Sequence, residues 1–193
     1  MTDNNKAWQG LNDCLSDHMI IARQLPNIMY AYLSGYNAET IESIMLTVNS
    51  VNDCAYCTGL HGELARLSGI SPEDAETLNG CSTMSESLAV RNTSAVRFAR
   101  AFAEADGQNI PKLLKDAGVA EEEQSNMIAL AYFLYWGSYG GNTINTFIYG
   151  KRLNLFGLFF TSYYGPLYLL ILATTMLLKV FPSKVPGLLY TLL

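Results

Sequence analysis

The chain has 193 residues, of which 50% are hydrophobic and only 15% charged, with a formal net charge of −5. That length fits one domain, or one domain with an appendage, and the apolar content is ample for a core. An acidic balance without any basic run excludes a general nucleic-acid binder, because phosphate contacts need clustered Lys and Arg.

The pattern along the chain is helical almost throughout, with no alternating strand signal, internal repeat or low-complexity linker. Leu11 to Gly35 carries apolar residues at helical spacing, with Pro26 expected to kink or break the helix. Glu39 to Val51 is a second helix, its apolar stripe made by Ile41, Ile44, Met45 and Val48. Asn52-Asp53 is the expected cap of a third, which starts near Cys54 and ends near Gly69. Ser71-Pro72-Glu73 opens a short helix, with Ser as cap and Pro at the first helical position.

Gly80 to Ser85 reads as a loop, followed by a helix from Glu86 to Ala105 and a short one from Ile110 to Ala117 that stops at Gly118. Glu121, Glu122 and Glu123 suit the first turn of a long helix running toward Tyr149, with bends expected at Gly137 or Gly140-Gly141. The expected architecture is therefore an all-α bundle over residues 1–150 with a hydrophobic tail over 151–193.

The tail has no charged residue from Leu153 to Leu178. As a helix it would extend about 39 Å at 1.5 Å per residue, more than the roughly 30 Å of a bilayer core. Gly165-Pro166 interrupts the run, and Tyr163, Tyr164 and Tyr168 lie near its middle, whereas aromatic anchors favour membrane interfaces. A kinked transmembrane helix, an interfacial hairpin and a helix packed between subunits all fit these features. Lys151 and Arg152 on one side balance Lys179 and Lys184 on the other, so flanking charge gives no orientation.

The four cysteines are Cys14, Cys54, Cys57 and Cys81. Met1 to Gly10 is polar and lacks the apolar core of a signal peptide, so the expected compartment is reducing, cytoplasmic or organellar rather than secretory. There a Cys-x-x-Cys points to redox or metal chemistry. On a helix, Cys54, Cys57 and His61 fall on one face. A zinc site would need a fourth ligand, or three plus water, and only these three candidates cluster, so no metal is expected. The residue after Cys57 is Thr58, which excludes c-type haem attachment, and no strand precedes the motif as a thioredoxin-like fold requires.

A thiolate is the reactive form, and a free cysteine with a pKa of about 8.5 is mostly protonated at neutral pH. The helix N-terminus favours ionisation of Cys54, Asp53 opposes it, and His61 is placed to accept a proton from Cys57. Glu42 flanks the apolar stripe of the preceding helix. Periodicity alone reads it as a solvated glutamate; the other reading is a carboxylate that orients His61, as the third member of a triad does.

Glu42, Cys54-x-x-Cys57 and His61 at this spacing resemble the signature of alkylhydroperoxidase AhpD-like proteins, within the wider carboxymuconolactone decarboxylase-like group. Leu113 to Tyr149, with Ala117-Gly118-Val119-Ala120-Glu121-Glu122-Glu123 and Asn142-x-x-Asn145, is similar to that family's last helices. The resemblance covers roughly Leu11 to Tyr149. It implies an oligomeric helical bundle that reduces hydroperoxides at the expense of a disulfide/dithiol reductant protein, with no cofactor. By position, Cys57 would attack the peroxide, Cys54 would resolve the product as a disulfide, and Glu42 and His61 would relay protons. Two departures stand out: Tyr56 occupies the place of a second histidine between the cysteines, and the tail exceeds what a minimal soluble member needs. Relatives lacking both cysteines are decarboxylases, so the two thiols speak against that activity.

Cys14 and His18 repeat the Cys-x-x-x-His spacing on the first helix and read as a core cysteine and a core or surface histidine. Cys81 follows Gly80 in the expected loop and is set aside as a site residue, the other reading being a third thiol for mixed disulfides. Tyr132, Phe133, Tyr135 and Trp136 read as core or subunit packing rather than a cofactor box. A non-enzymatic alternative is a structural or assembly subunit of a membrane complex, held by the tail.

Overall fold

The computed structural model describes residues 6–80, 86–149 and 155–180. Every element among them is helical: α1 Leu11–Tyr30, a π-helical turn Ala31–Gly35, α2 Ala38–Asn52, α3 Ala55–Leu67, α4 Pro72–Gly80, α5 Glu86–Glu104, α6 Ile110–Ala117, α7 Glu121–Ile148 and α8 Leu155–Val180. The all-α expectation is met. Cys81 lies outside the described residues, as do Lys151, Arg152 and Lys184.

The centre of the bundle is α2, which packs against α3, α4, α5 and α7. Every residue from Ile41 to Asn49 is buried, so this helix has no solvent face. Its hydroxyls are satisfied on the helix itself, Ser43 donating to the Glu39 carbonyl and Thr47 to the Ser43 carbonyl, each at 2.7 Å. Around it, Ile44, Met45, Phe98, Phe102, Met127 and Leu130 form the main core. Tyr132 and Tyr135 join that core by edge-on contacts with Phe102.

Capping explains most boundaries. Asn37 accepts from the Thr40 amide at 2.8 Å and starts α2. The Ser71 hydroxyl accepts from the Asp74 amide at 3.1 Å and donates to its carboxylate at 2.9 Å, closing a reciprocal cap at α4. Gly118, at φ +72°, ends α6 in the left-handed conformation expected of it.

Three local expectations need correction, and the glycines of α7 have a packing role. Pro26 does not end α1, which continues to Tyr30 before the π-turn. Asn52-Asp53 does not cap α3: Asp53, at φ +52°, closes α2, and Cys54 itself is the N-cap of α3. The glycines of α7 do not break it, and the helix is continuous from Glu121 to Ile148. Gly140 and Gly141 instead leave room for side chains of neighbouring segments, Trp8 and Tyr168 at Gly140, and Cys54, Tyr56 and Tyr168 at Gly141. Gly165-Pro166 does not interrupt the tail, because α8 runs through it unbroken.

That tail helix returns to the bundle and packs along α3 and α7. Its inward residues, Gly157, Phe160, Tyr164, Tyr168, Ile171, Thr175 and Leu178, recur at spacings of three or four, which keeps one stripe of a helix against a neighbour. The opposite side, including Phe159, Tyr163, Leu169, Leu170 and Met176, is exposed. Among the described residues, α8 is the one helix long and apolar enough to cross a membrane.

Candidate functional site: a buried dithiol beside an apolar cavity

The site begins with the turn between α2 and α3. Asn49, on the last turns of α2, accepts from the Cys54 backbone amide through Oδ1 at 3.2 Å. Its amide nitrogen donates to the Thr58 hydroxyl, and that hydroxyl donates to the Cys54 carbonyl at 3.1 Å. Asn49 is fully buried, so this brace fixes the cysteine-bearing start of α3 against α2. A buried asparagine on a helix that reads as amphipathic is the only trace of it in the sequence.

As N-cap, Cys54 places its sulfur where the Cys57 backbone amide donates to it, at 3.4 Å. The Cys57 thiol donates to the same sulfur. This bond, together with the backbone amides of Cys57 and Tyr56, holds the Cys54 thiol below its ordinary range, against burial and the neighbouring Asp53 charge. The reverse holds for Cys57: donating its proton to Cys54 and being buried both push it well above the ordinary range. Of the two thiols, Cys54 is therefore the one whose ionisation is favoured and Cys57 the one whose ionisation is opposed.

Glu42 and His61 meet across the α2–α3 interface, with His61 Nδ1 and Glu42 Oε2 2.8 Å apart. Glu42 is 3% exposed and His61 9%, which corrects the solvated reading of Glu42. A carboxylate only accepts, so the bond puts the imidazole proton on Nδ1 and leaves Nε2 as the basic nitrogen. Periodicity missed this because it assigns α2 an outer face, and α2 is covered all round by its neighbours.

Cys57, His61 and Glu42 share the wall of one cavity of about 320 Å³. The rest of its lining is apolar and aromatic: Tyr32 from the π-turn, Leu60 and Leu64 from α3, Phe133 and Trp136 from α7, and Leu167, Tyr168 and Ile171 from α8. Phe133 and Trp136 thus face the cavity, while their neighbours Tyr132 and Tyr135 stay in the core. Three of the four sequence-predicted site residues line this cavity. Cys54 does not; it lies behind Cys57, fully buried.

The tail forms the roof. Tyr168 donates to the Gly137 carbonyl at 2.5 Å and packs edge-on against Tyr56, ring centroids 5.2 Å apart. A Cβ at Gly141 would sit 2.7 Å from Cys54 Sγ and 3.0 Å from the Tyr168 ring, so sulfur, ring and α7 backbone converge on one point. Further along, His18 Nε2 and the Tyr164 hydroxyl are 2.5 Å apart, with the Trp136 indole donating to the same imidazole. This clasp ties α1, α7 and α8 together and gives His18 a structural place. Cys14 is buried beside it, its thiol pushed up to about 11 by burial and by Asp17 and Asp13, so it is an inert core thiol at neutral pH.

No group of three or more metal-ligating side chains occurs among the described residues. Comparisons with protein-family models, with curated proteins and with solved structures return no match to this chain.

Proposed function

We propose that the chain is a thiol-dependent hydroperoxide reductase, a peroxidase and disulfide oxidoreductase of the AhpD-like kind. The observation that supports this most is the shared cavity wall: Cys57 of the dithiol and the buried Glu42–His61 pair, brought together from two helices, line one apolar space. Cys57 is the thiol facing that space and is assigned the attack. As it attacks the terminal peroxide oxygen, its proton passes to the Cys54 thiolate along the existing S–H···S bond or to His61 Nε2. The O–O bond breaks, the alkoxide leaves as the alcohol with a proton from the relay, and Cys57 is left as the sulfenic acid. Cys54 then attacks the Cys57 sulfur, water leaves, and the Cys54–Cys57 disulfide forms. An external dithiol protein takes up that disulfide and returns two thiols. Glu42 holds His61 in the tautomer that accepts at Nε2.

The purified chain is expected to consume hydroperoxide with a dithiol reductant. Cys57→Ser abolishes that turnover, and an unchanged rate in this variant would refute the assignment. Homo-oligomerisation and the dithiol partner rest on the family resemblance, and sedimentation of the reduced protein tests the first.

Membrane association through residues 153–180 belongs to the same reading, supported by the uncharged length of α8 and its exposed apolar side. That exposed side also favours a second reading, an assembly subunit of a membrane complex without turnover. Recovery of a soluble, detergent-free, active oligomer would refute this second reading.

A further inference from the structure

The roof helix has two properties that do not serve one purpose. Its inward stripe fits the dithiol region closely: the Tyr168 ring and the Cys54 sulfur converge on Gly141, and Thr175 packs 3.4 Å from where a Cβ of Gly59 would be. Its outward side is apolar over a wide arc, with Leu158, Phe159, Tyr163, Leu169, Leu170 and Met176 exposed. A second copy would pair along a narrow seam and cover only part of that arc, whereas lipid covers a helix on all sides. Lys179 is the one charged residue of α8 and sits in its last turn, where it can reach a headgroup region. Of the inward hydroxyls, Thr175 would tolerate lipid, since it already donates to the Ile171 carbonyl of its own helix at 2.9 Å, while those of Tyr164 and Tyr168 would give up their bonds to His18 and to the Gly137 carbonyl.

We propose that a lipid bilayer is the partner of α8 and competes with the bundle for it: docked, the helix seals Cys54; taken up by lipid, it leaves Cys54 open to exchange with a protein disulfide or dithiol. The proposal rests on the reading of Cys54 as the exchanging thiol. The driving force is differential: the docked helix has one apolar side in water, and the lipid-bound helix has none. The opposing force is the set of inward contacts, above all Tyr168 with Gly137, Gly141 and Tyr56. Cys57 already lines the cavity with α8 docked, so small apolar molecules reach it without any movement, and macromolecular thiols reach Cys54 only when α8 has moved.

The test is the rate at which N-ethylmaleimide modifies Cys54 in the full reduced chain, read on the Cys54 peptide by mass spectrometry. It is measured with and without phosphatidylcholine vesicles, and flotation reports binding. Vesicles are expected to accelerate modification about tenfold, the response to a tenfold rise in the open population. Leu170→Lys with Met176→Lys changes only exposed positions; it should leave the vesicle-free rate unchanged and abolish the acceleration. Failure to float, a Cys54 rate that vesicles do not change, or an acceleration that survives the two lysines would each overturn the proposal. A rate that follows protein concentration rather than lipid would also overturn it, and would assign the face to a second copy. The readout needs no turnover, so an absent peroxidase activity would sink the functional reading and leave this result standing.

Discussion

Gly141→Ala probes the point where α3, α7 and α8 converge. The added methyl would lie 2.7 Å from Cys54 Sγ, 3.0 Å from Tyr168 Cε1 and 3.2 Å from Tyr56 Cδ2. Normal contact between such atoms is about 3.5–4.0 Å, so something must move by nearly 1 Å. Cys54 cannot yield easily: its sulfur is one bond from Cβ and is held at the helix cap by the Cys57 amide. Tyr168 must then retreat, and α8 with it. Overpacking of this kind costs about 1–3 kcal/mol, while replacing a glycine inside a helix returns about 0.5–1 kcal/mol. The net expectation is a loss of about 1–2 kcal/mol. Gly137, one turn earlier on the same helix, has nothing within 4 Å of its added Cβ, so Gly137→Ala should stabilise by about 0.5–1 kcal/mol. Urea unfolding of both variants followed by circular dichroism measures the difference. If the two alanine variants have the same midpoint and slope, the packing of α8 over Cys54 is not as described.

Glu42→Ala leaves the buried His61 Nδ1–H without its acceptor and should destabilise by about 1–3 kcal/mol in chemical denaturation; Glu42→Gln should lower peroxide turnover about 100-fold if the relay operates. Ultraviolet titration of thiolate absorbance should show one thiol ionising below the ordinary range. Cys57→Ala should move it upward by removing the donor to Cys54, and an unmoved titration would contradict the S–H···S bond. Cys14 is raised toward 11, so above the ordinary thiol pKa the folded state holds a proton that the unfolded state has released. Its contribution to stability is therefore lost as pH rises through that window, and Cys14→Ala should flatten the alkaline slope of the unfolding free energy. Asn142 donates to the Asn52 carbonyl at 2.7 Å and to the Lys6 carbonyl at 3.1 Å, so Asn142→Leu should cost about 1–3 kcal/mol by leaving buried acceptors unpaired.

Much of the fold is legible in local chemistry. The ends of α4, α5 and α6 follow from Ser71-Pro72, Asp106-Gly107 and Gly118, because caps and left-handed glycines act within a few residues. Pro26 and Gly165-Pro166 were misleading for the same reason: a local breaker weakens a helix by one hydrogen bond and some strain, and packing on both sides of it outweighs that cost. At the site, the Cys-x-x-Cys and His61 announce themselves by spacing. Asn49, Gly141 and Tyr168 do not, since each matters only through a residue far away in sequence.

By itself the sequence determined an all-helical chain, a dithiol at a helix start with a histidine one turn on, and an uncharged tail of membrane-spanning length. These are properties of neighbours along the chain, set by periodicity, capping and composition. Tertiary structure alone decided that α2 has no outer face, which turns Glu42 from a surface charge into the partner of His61. It also decided that the tail folds back over the thiols, and that Cys57 faces a cavity while Cys54 is sealed. The physical reason is that burial depends on what lies on the far side of a residue, and no spacing within one helix specifies its neighbour.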